Sequence, residues 1–287
     1  MARIVGGIGV SHVPAIGGAI ARGLQQEPYW KPFFDGFEAA HRWLAKVKPD
    51  VVVAIYNDHG LNFFLDKLPT FAVGAAAEYF NADEGWGLPV QKPYTGDPAL
   101  SWHLIESLVA DEFDVTMCQE MVVDHGFVNP MQLLWPGKER PVRVVPVTIN
   151  TVQHPLPSPA RCFKLGQAIG RAIESYEEDI NVLILGTGGL SHQLDGTRAG
   201  FINKAFDLMS LDKLGGDPKV LTAYSSLDLI EQAGAQGVEL LNWIAMRGAL
   251  GDQVTEVHRS YHIPISNTAA GLLVLEPVPA ALRANAA

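Results

Sequence analysis

Basic residues are scarce in this chain. Its 21 Lys and Arg stand against 31 Asp and Glu, a formal net charge of −10. No basic block offsets that balance, which argues against nucleic acid as a partner. Cysteine is scarcer still. Cys118 and Cys162 are the only two; they lie far apart, outside any CxxC or Cys/His grouping, so no disulfide framework or structural zinc site is expected and both read as packing residues. No apolar run approaches the ~20 residues of a membrane helix. The start, "MARIVGGIGVSHVPAIGG", lacks the charged, apolar and cleavage regions of a secretory signal. The expectation is a cytoplasmic chain with no membrane association.

What is present is ordinary globular material, 287 residues with 48% hydrophobic content, enough for a sizeable core. "ARIVGGIGV", "DVVVAIYND", "RVVPVTIN", "NVLILGTGG" and, near the end, "AAGLLVLEP" are continuous, β-branched runs closed by polar residues or Gly, the mark of buried strands. Helical periodicity fills the intervals in "FDGFEAAHRWLAKV", "DPALSWHLIESLVADE", "CFKLGQAIGRAIESYEED" and "AQGVELLNWIAMRGAL". Strand and helix in alternation predict an α/β fold: a single domain over 1–277, with a mostly parallel central sheet covered by helices and an active site at the carboxyl ends of the strands. "NADEGWGLPVQKPYTGDP" and "TVQHPLPSPA" read as irregular surface segments suited to line a mouth or meet a partner. The Ala- and Pro-rich tail, 278–287, is expected to be flexible.

Three of the strands end in histidine. "IVGGIGVSH" delivers His12, "VVVAIYNDH" His59 and "NVLILGTGGLSH" His192. Residues just beyond parallel strands converge on one crevice, and glycines before them let the chain turn sharply. Imidazoles gathered without an adjacent nucleophile suggest a metal, and the usual missing ligand is a carboxylate. Glu239 is the candidate, because it shares a helical stripe with Trp243, Met246 and Leu250, where an unpaired carboxylate is costly to bury; a capping or salt-bridged glutamate is the alternative. Asp58 is a candidate partner fixing an imidazole tautomer, and Asn57 a turn residue. Two histidines and a carboxylate form the facial triad of non-heme Fe(II) enzymes, and a similar set holds catalytic zinc. Spacing separates neither the metals nor the histidine left free. "GTGGLS" and "GGIGVS" lack the last glycine of a dinucleotide fingerprint, and Ser191 lies in no GxSxG elbow.

At these residues the chain resembles the β subunits of class III extradiol ring-cleaving dioxygenases of the protocatechuate 4,5-cleaving type. The likeness runs through "SHVPAIGGAI", "YNDH", "PTFAVG", "ADEGWG", "DEFDVT", "VDHG", "GTGGLSHQLDGTRAGFINKAFD", "GVELLNWIAMRGAL" and "YHIPISNTA", in that order. The resemblance implies that His12, His59 and Glu239 hold Fe(II), that His192 is an acid/base beside the metal, and that His125 is a further catalytic pocket histidine. It implies contacts from Ser266 and Asn267, with Asn57 near, to a carboxylated catechol. It further implies cleavage of protocatechuate by O2 at the 4,5 bond to 4-carboxy-2-hydroxymuconate semialdehyde, in aromatic-compound degradation. A small α subunit, in an α2β2 assembly, is implied as partner. Gallate or methylgallate is the alternative substrate, and a zinc-dependent hydrolase or a non-catalytic binding subunit the alternative of another class.

Overall fold

Val51–Tyr56 is buried from end to end, and its residues alternate between two cores: Val51, Val53 and Ile55 pack on one side of the sheet, Val52, Ala54 and Tyr56 on the other. Asn181–Thr187 repeats the pattern, with Val182 and Ile184 on the first side and Leu183 and Leu185 on the second. A strand apolar on both faces must be covered on both, which is why these runs read as continuous hydrophobic stretches.

The computed structural model describes residues 1–85, 88–137 and 141–278. Except for Val278, the tail at 278–287 lies outside the described residues, as do Trp86 and Gly87 of "ADEGWG". The strands are β1 (Arg3–Val10), β2 (Val51–Tyr56), β3 (Phe71–Gly74), β4 (Glu78–Asn81), β5 (Tyr94–Thr95), β6 (Thr116–Cys118), β7 (Val122–Val123), β8 (Arg143–Ile149), β9 (Asn181–Thr187), β10 (Val254–Ile265) and β11 (Thr268–Pro277). The main sheet has eight strands in the order β10-β11-β1-β9-β2-β8-β3-β6; β5, β4 and β7 form a small separate sheet. The middle of the main sheet, β1-β9-β2-β8, is parallel, and antiparallel pairing enters through β11, β10 and the β3–β8 pair. This is the α/β architecture that the alternating pattern predicts.

The helices are α1 (Pro14–Ala21), α2 (Lys31–Asp35), α3 (Glu38–Val47), α4 (Pro98–Ala110), α5 (His125–Leu134), α6 (Pro159–Ser175), α7 (Lys204–Gly215), α8 (Lys219–Thr222), α9 (Ser226–Ala233) and α10 (Leu240–Ala249). α4, α6 and α10 supply the core on one face of the sheet, while α1, α3 and α5 cover the other. Two predicted helices start differently. "FDGFEAAHRWLAKV" divides into α2 and α3 around Gly36, and Glu239 closes a 3-10 turn, Gly237–Glu239, ahead of α10. No helix among the described residues is long and apolar enough to cross a membrane. Both cysteines are buried and free.

Candidate metal centre

β1, β9 and β2 are neighbours in the sheet and run parallel, with Val10 level with Thr187 and Ile55 level with Gly186. Their carboxyl ends therefore open on one side, and His12, His192 and His59 follow them into a common crevice. Serine pins two of these ends. Ser11 exchanges hydrogen bonds with Gly271, its N–H donating to the carbonyl at 3.0 Å and its hydroxyl accepting from the N–H at 2.9 Å. Ser191 donates to Asp207 through both its N–H and its hydroxyl, at 2.9 and 2.6 Å. Neither serine is placed to act as a nucleophile; each fixes the backbone that presents the next residue, a histidine.

Glu239 reaches the same point from the 3-10 turn before α10. Its Oε2 lies 3.3 Å from His12 Nε2 and 3.8 Å from His192 Nε2, and its Oε1 lies 3.7 Å from His59 Nε2. The approach is close because residue 188 is glycine: a Cβ there would stand 2.6 Å from Glu239 Cβ and 2.8 Å from Oε2, and φ is +109°. Gly126 matters similarly, since a Cβ on it would stand 3.0 Å from His59 Cε1 and 3.3 Å from His12 Cε1. His125, at the start of α5, completes the group; its ring centroid is 4.1 Å from that of His59 and 5.4 Å from that of His12. One nitrogen from each of His12, His59 and His125 falls within 4.8 Å of the others.

Each imidazole is held through Nδ1. His59 Nδ1 donates to Asp124 Oδ2 at 3.0 Å, His125 Nδ1 to Glu84 Oε1 at 2.6 Å, and His192 Nδ1 to the Leu190 carbonyl at 2.9 Å. His12 Nδ1 lies 3.0 Å from Thr187 Oγ1, whose own proton goes to the Gly126 carbonyl at 2.7 Å, so here too the ring donates. An imidazole that donates from Nδ1 turns its Nε2 lone pair toward the centre; in His59 that lone pair takes the Asn57 amide as donor. Asp58, the sequence candidate for such a partner, does something else: its carboxylate accepts from the N–H groups of Gly60, Leu61, Asn62 and Phe63 and shapes the loop after His59. Asp124, Thr187 and Glu84 are the partners that sequence reasoning missed.

The electrostatics ask for positive charge at the centre. Burial alone would push the Glu239 carboxyl up, but His12, by charge and hydrogen bond, together with His59 and His192, holds it well below the usual carboxylate range. Burial likewise opposes charge on His59, and Asp124 and Glu239 outweigh it, so that His59 sits well above the usual imidazole range. His125 is pushed down, by burial first and then by His59. A cation between Nε2 of His12, Nε2 of His59 and the Glu239 carboxylate satisfies both preferences. Donors sharing one ion at about 2.1 Å lie roughly 3–3.5 Å apart, which the His12–Glu239 separation of 3.3 Å matches.

The cluster lines a cavity of about 1160 Å³. Both irregular segments singled out in the sequence border it, one through Glu84 and Leu88, the other through Thr151, Val152, His154 and Leu156. Of the candidate substrate contacts, Ser266 is on the wall and Asn267 is exposed in the adjoining turn. Asn57 lines the wall as well, but its Nδ2 donates toward His59 Nε2 at 3.0 Å and Glu239 Oε1 at 3.2 Å, while its Oδ1 accepts from Asn242. Its amide thus braces the histidine–glutamate cluster.

Residues 6–271 match the family described as "Catalytic LigB subunit of aromatic ring-opening dioxygenase". Over 196 residues, 68% of this chain, the sequence is 44% identical to a gallate dioxygenase of Pseudomonas putida KT2440, and the match spans 57% of that protein's length. It is 30% identical over 261 residues to a 2,3-dihydroxyphenylpropionate/2,3-dihydroxicinnamic acid 1,2-dioxygenase of a Rhodococcus species, covering 75% of this chain and 80% of that one. The crystal structure of an uncharacterized Escherichia coli K12 protein shares the fold at a TM-score of 0.58 and 14% identity, covering 94% of this chain and 99% of that chain.

Proposed function

Because this chain belongs to the LigB family, the catalytic subunits of aromatic ring-opening dioxygenases, we propose that its histidine–glutamate cluster holds Fe(II) and supports extradiol cleavage of a carboxylated catechol by O2. The observation that carries the reading is the meeting of His12, His59 and Glu239 at 3.3 and 3.7 Å on the wall of a cavity wide enough for a ring acid. Two imidazoles and one carboxylate leave coordination positions open for substrate and dioxygen. Ferrous iron held by His12, His59 and Glu239 would supply Lewis acidity toward the two adjacent hydroxyls and a site for dioxygen.

The chain's own residues do the rest. His192 is oriented by Leu190 so that its Nε2 lone pair faces the cluster, suited to take a proton from a catechol hydroxyl and return it as the ring opens. His125, braced by Glu84, lines the same space from the start of α5. Ser266 and Asn267, in the turn between β10 and β11, are assigned to the far end of the ring.

The 44% identity to a gallate dioxygenase favours gallate as the ring acid; the ring-carboxylate contact assigned to "YHIPISNTA" suits gallate and protocatechuate alike. The proposal includes a separate small α subunit in an α2β2 assembly, for which the exposed Phe64, Leu65, Val152 and Leu194 around the mouth form a suitable apolar rim, and it places the chain in the cytoplasm. Oxygen uptake with gallate, methylgallate and protocatechuate under Fe(II), with and without the α partner, tests it. One O2 consumed per ring opened is expected. Zinc-supported turnover without oxygen uptake would replace the reading with a hydrolase.

A further inference from the structure

Three carboxylates, those of Asp58, Glu84 and Glu239, contribute to the cavity wall, and among the described residues Arg22 is the single lysine or arginine on it. A ring acid entering this space is itself an anion, so a cation on the wall decides whether the field along its path attracts or repels it. Arg22 directly follows α1, the helix that begins two residues after His12. Its Nε donates to the Gly18 carbonyl at 3.0 Å, which folds the side chain back along the helix until Nη2 lies 3.5 Å from where a Cβ on Gly18 would be. Gly18 is one turn beyond Pro14, about 6 Å along the axis at 1.5 Å per residue. The guanidinium is thus held back along α1 in the direction of Pro14, the end of the helix that follows His12. It forms no ion pair among the described residues.

The chain after Arg22 is tied to the turn that carries Ser266. Tyr29 donates its hydroxyl proton to the Pro264 carbonyl at 2.9 Å and accepts from the Ser266 N–H at 3.3 Å. Ser266 adopts φ +57° there and lies on the same cavity wall as Arg22. Arg22 and Ser266 thus both line the cavity, and the chain that follows Arg22 is bonded to the Ser266 turn through Tyr29.

We propose that Arg22 is the specificity-determining residue for the ring carboxylate. Its two free terminal NH2 groups donate to the carboxylate oxygens in the forked geometry that guanidinium offers, while the diol end of the ring meets the histidine–glutamate cluster. The inference rests on the ring-cleaving reading above and deepens it: selection of an anionic catechol over a neutral one is assigned to one side chain.

The test compares Arg22→Gln and Arg22→Lys with the unaltered chain, Fe(II)-loaded and with any α partner, on gallate and 3,4-dihydroxybenzoate, each beside its neutral amide. Arg22→Gln should lower kcat/KM for the acids by about 10- to 100-fold, chiefly through KM, as expected for loss of a charge-assisted contact. The amides should be left essentially unchanged, and Arg22→Lys should recover part of the loss. An unchanged acid-to-amide ratio in Arg22→Gln, beside an unaltered chain that cleaves the acids, overturns this assignment alone. Failure of the unaltered chain to cleave any of the four compounds overturns the ring-cleaving reading and this assignment with it.

Discussion

Asp124 Oδ2 accepts from both the backbone N–H and the ring Nδ1 of His59, at 2.8 and 3.0 Å, while its Oδ1 accepts from the Gly126 N–H at 2.8 Å and caps α5. One buried carboxylate therefore fixes the tautomer of a candidate metal ligand and starts the helix that carries His125. His59 in turn, together with His125, holds the Asp124 carboxyl below its usual range against the opposing effect of burial. Asp124→Asn keeps a good capping residue but removes the charge. Its Fe(II) affinity is expected to fall about 10- to 100-fold with the helix content unchanged. Anaerobic Fe(II) titration beside far-ultraviolet circular dichroism checks this, and an unaltered affinity would remove Asp124 from the account.

His192 differs from His12 and His59 in facing Glu239 at the longest of the three separations, 3.8 Å, on a ring held by a backbone carbonyl. His192→Phe is expected to retain iron and lose turnover by ~10²–10⁴, the range of general acid–base catalysis. Turnover close to that of the unaltered chain would refute the acid/base role, and loss of iron would make His192 a ligand.

Asp207 carries the pH prediction. It is buried, and burial raises its pKa despite the hydrogen bonds from Ser191 and Tyr261 that favour the charged form. A carboxyl whose pKa is higher folded than unfolded binds its proton more tightly in the folded state, so its stabilising contribution is present at low pH and declines as pH rises through the carboxylate range and beyond. The stability difference between the unaltered chain and Asp207→Asn should therefore shrink with rising pH. Denaturant unfolding of both proteins across that range measures it; a difference that grows with pH contradicts the assignment.

The strand ends were the most legible part of this protein. Continuous β-branched runs announce strands buried on both faces, and a histidine just past three of them has nowhere to go but the carboxyl edge of the sheet. Glu239 was legible from the cost of a carboxylate on an apolar stripe, although the structure puts it in the 3-10 turn ahead of the helix. The partners that orient the rings left no such trace. Asp124, Glu84 and Thr187 meet their histidines across long stretches of chain, and no periodicity records a pairing between distant segments. Adjacency made Asp58 look like the partner of His59, whereas a carboxylate followed by four available N–H groups is better satisfied by its own loop. β10 was missed because an edge strand such as "VTEVHRSYHIPI" is largely polar and breaks its alternation at a bulge. α5 was missed because its ten residues contain Pro130 and no polar face.

Fe(II) stoichiometry after anaerobic reconstitution of the unaltered chain, Glu239→Ala and His125→Ala is the most direct test of the central claim, since the geometry brings both Glu239 and His125 to the pair formed by His12 and His59. The account predicts one tightly held iron per chain in the unaltered protein and in His125→Ala, and its loss in Glu239→Ala. Full iron in Glu239→Ala, with loss in His125→Ala, would contradict it and assign the metal to three histidines.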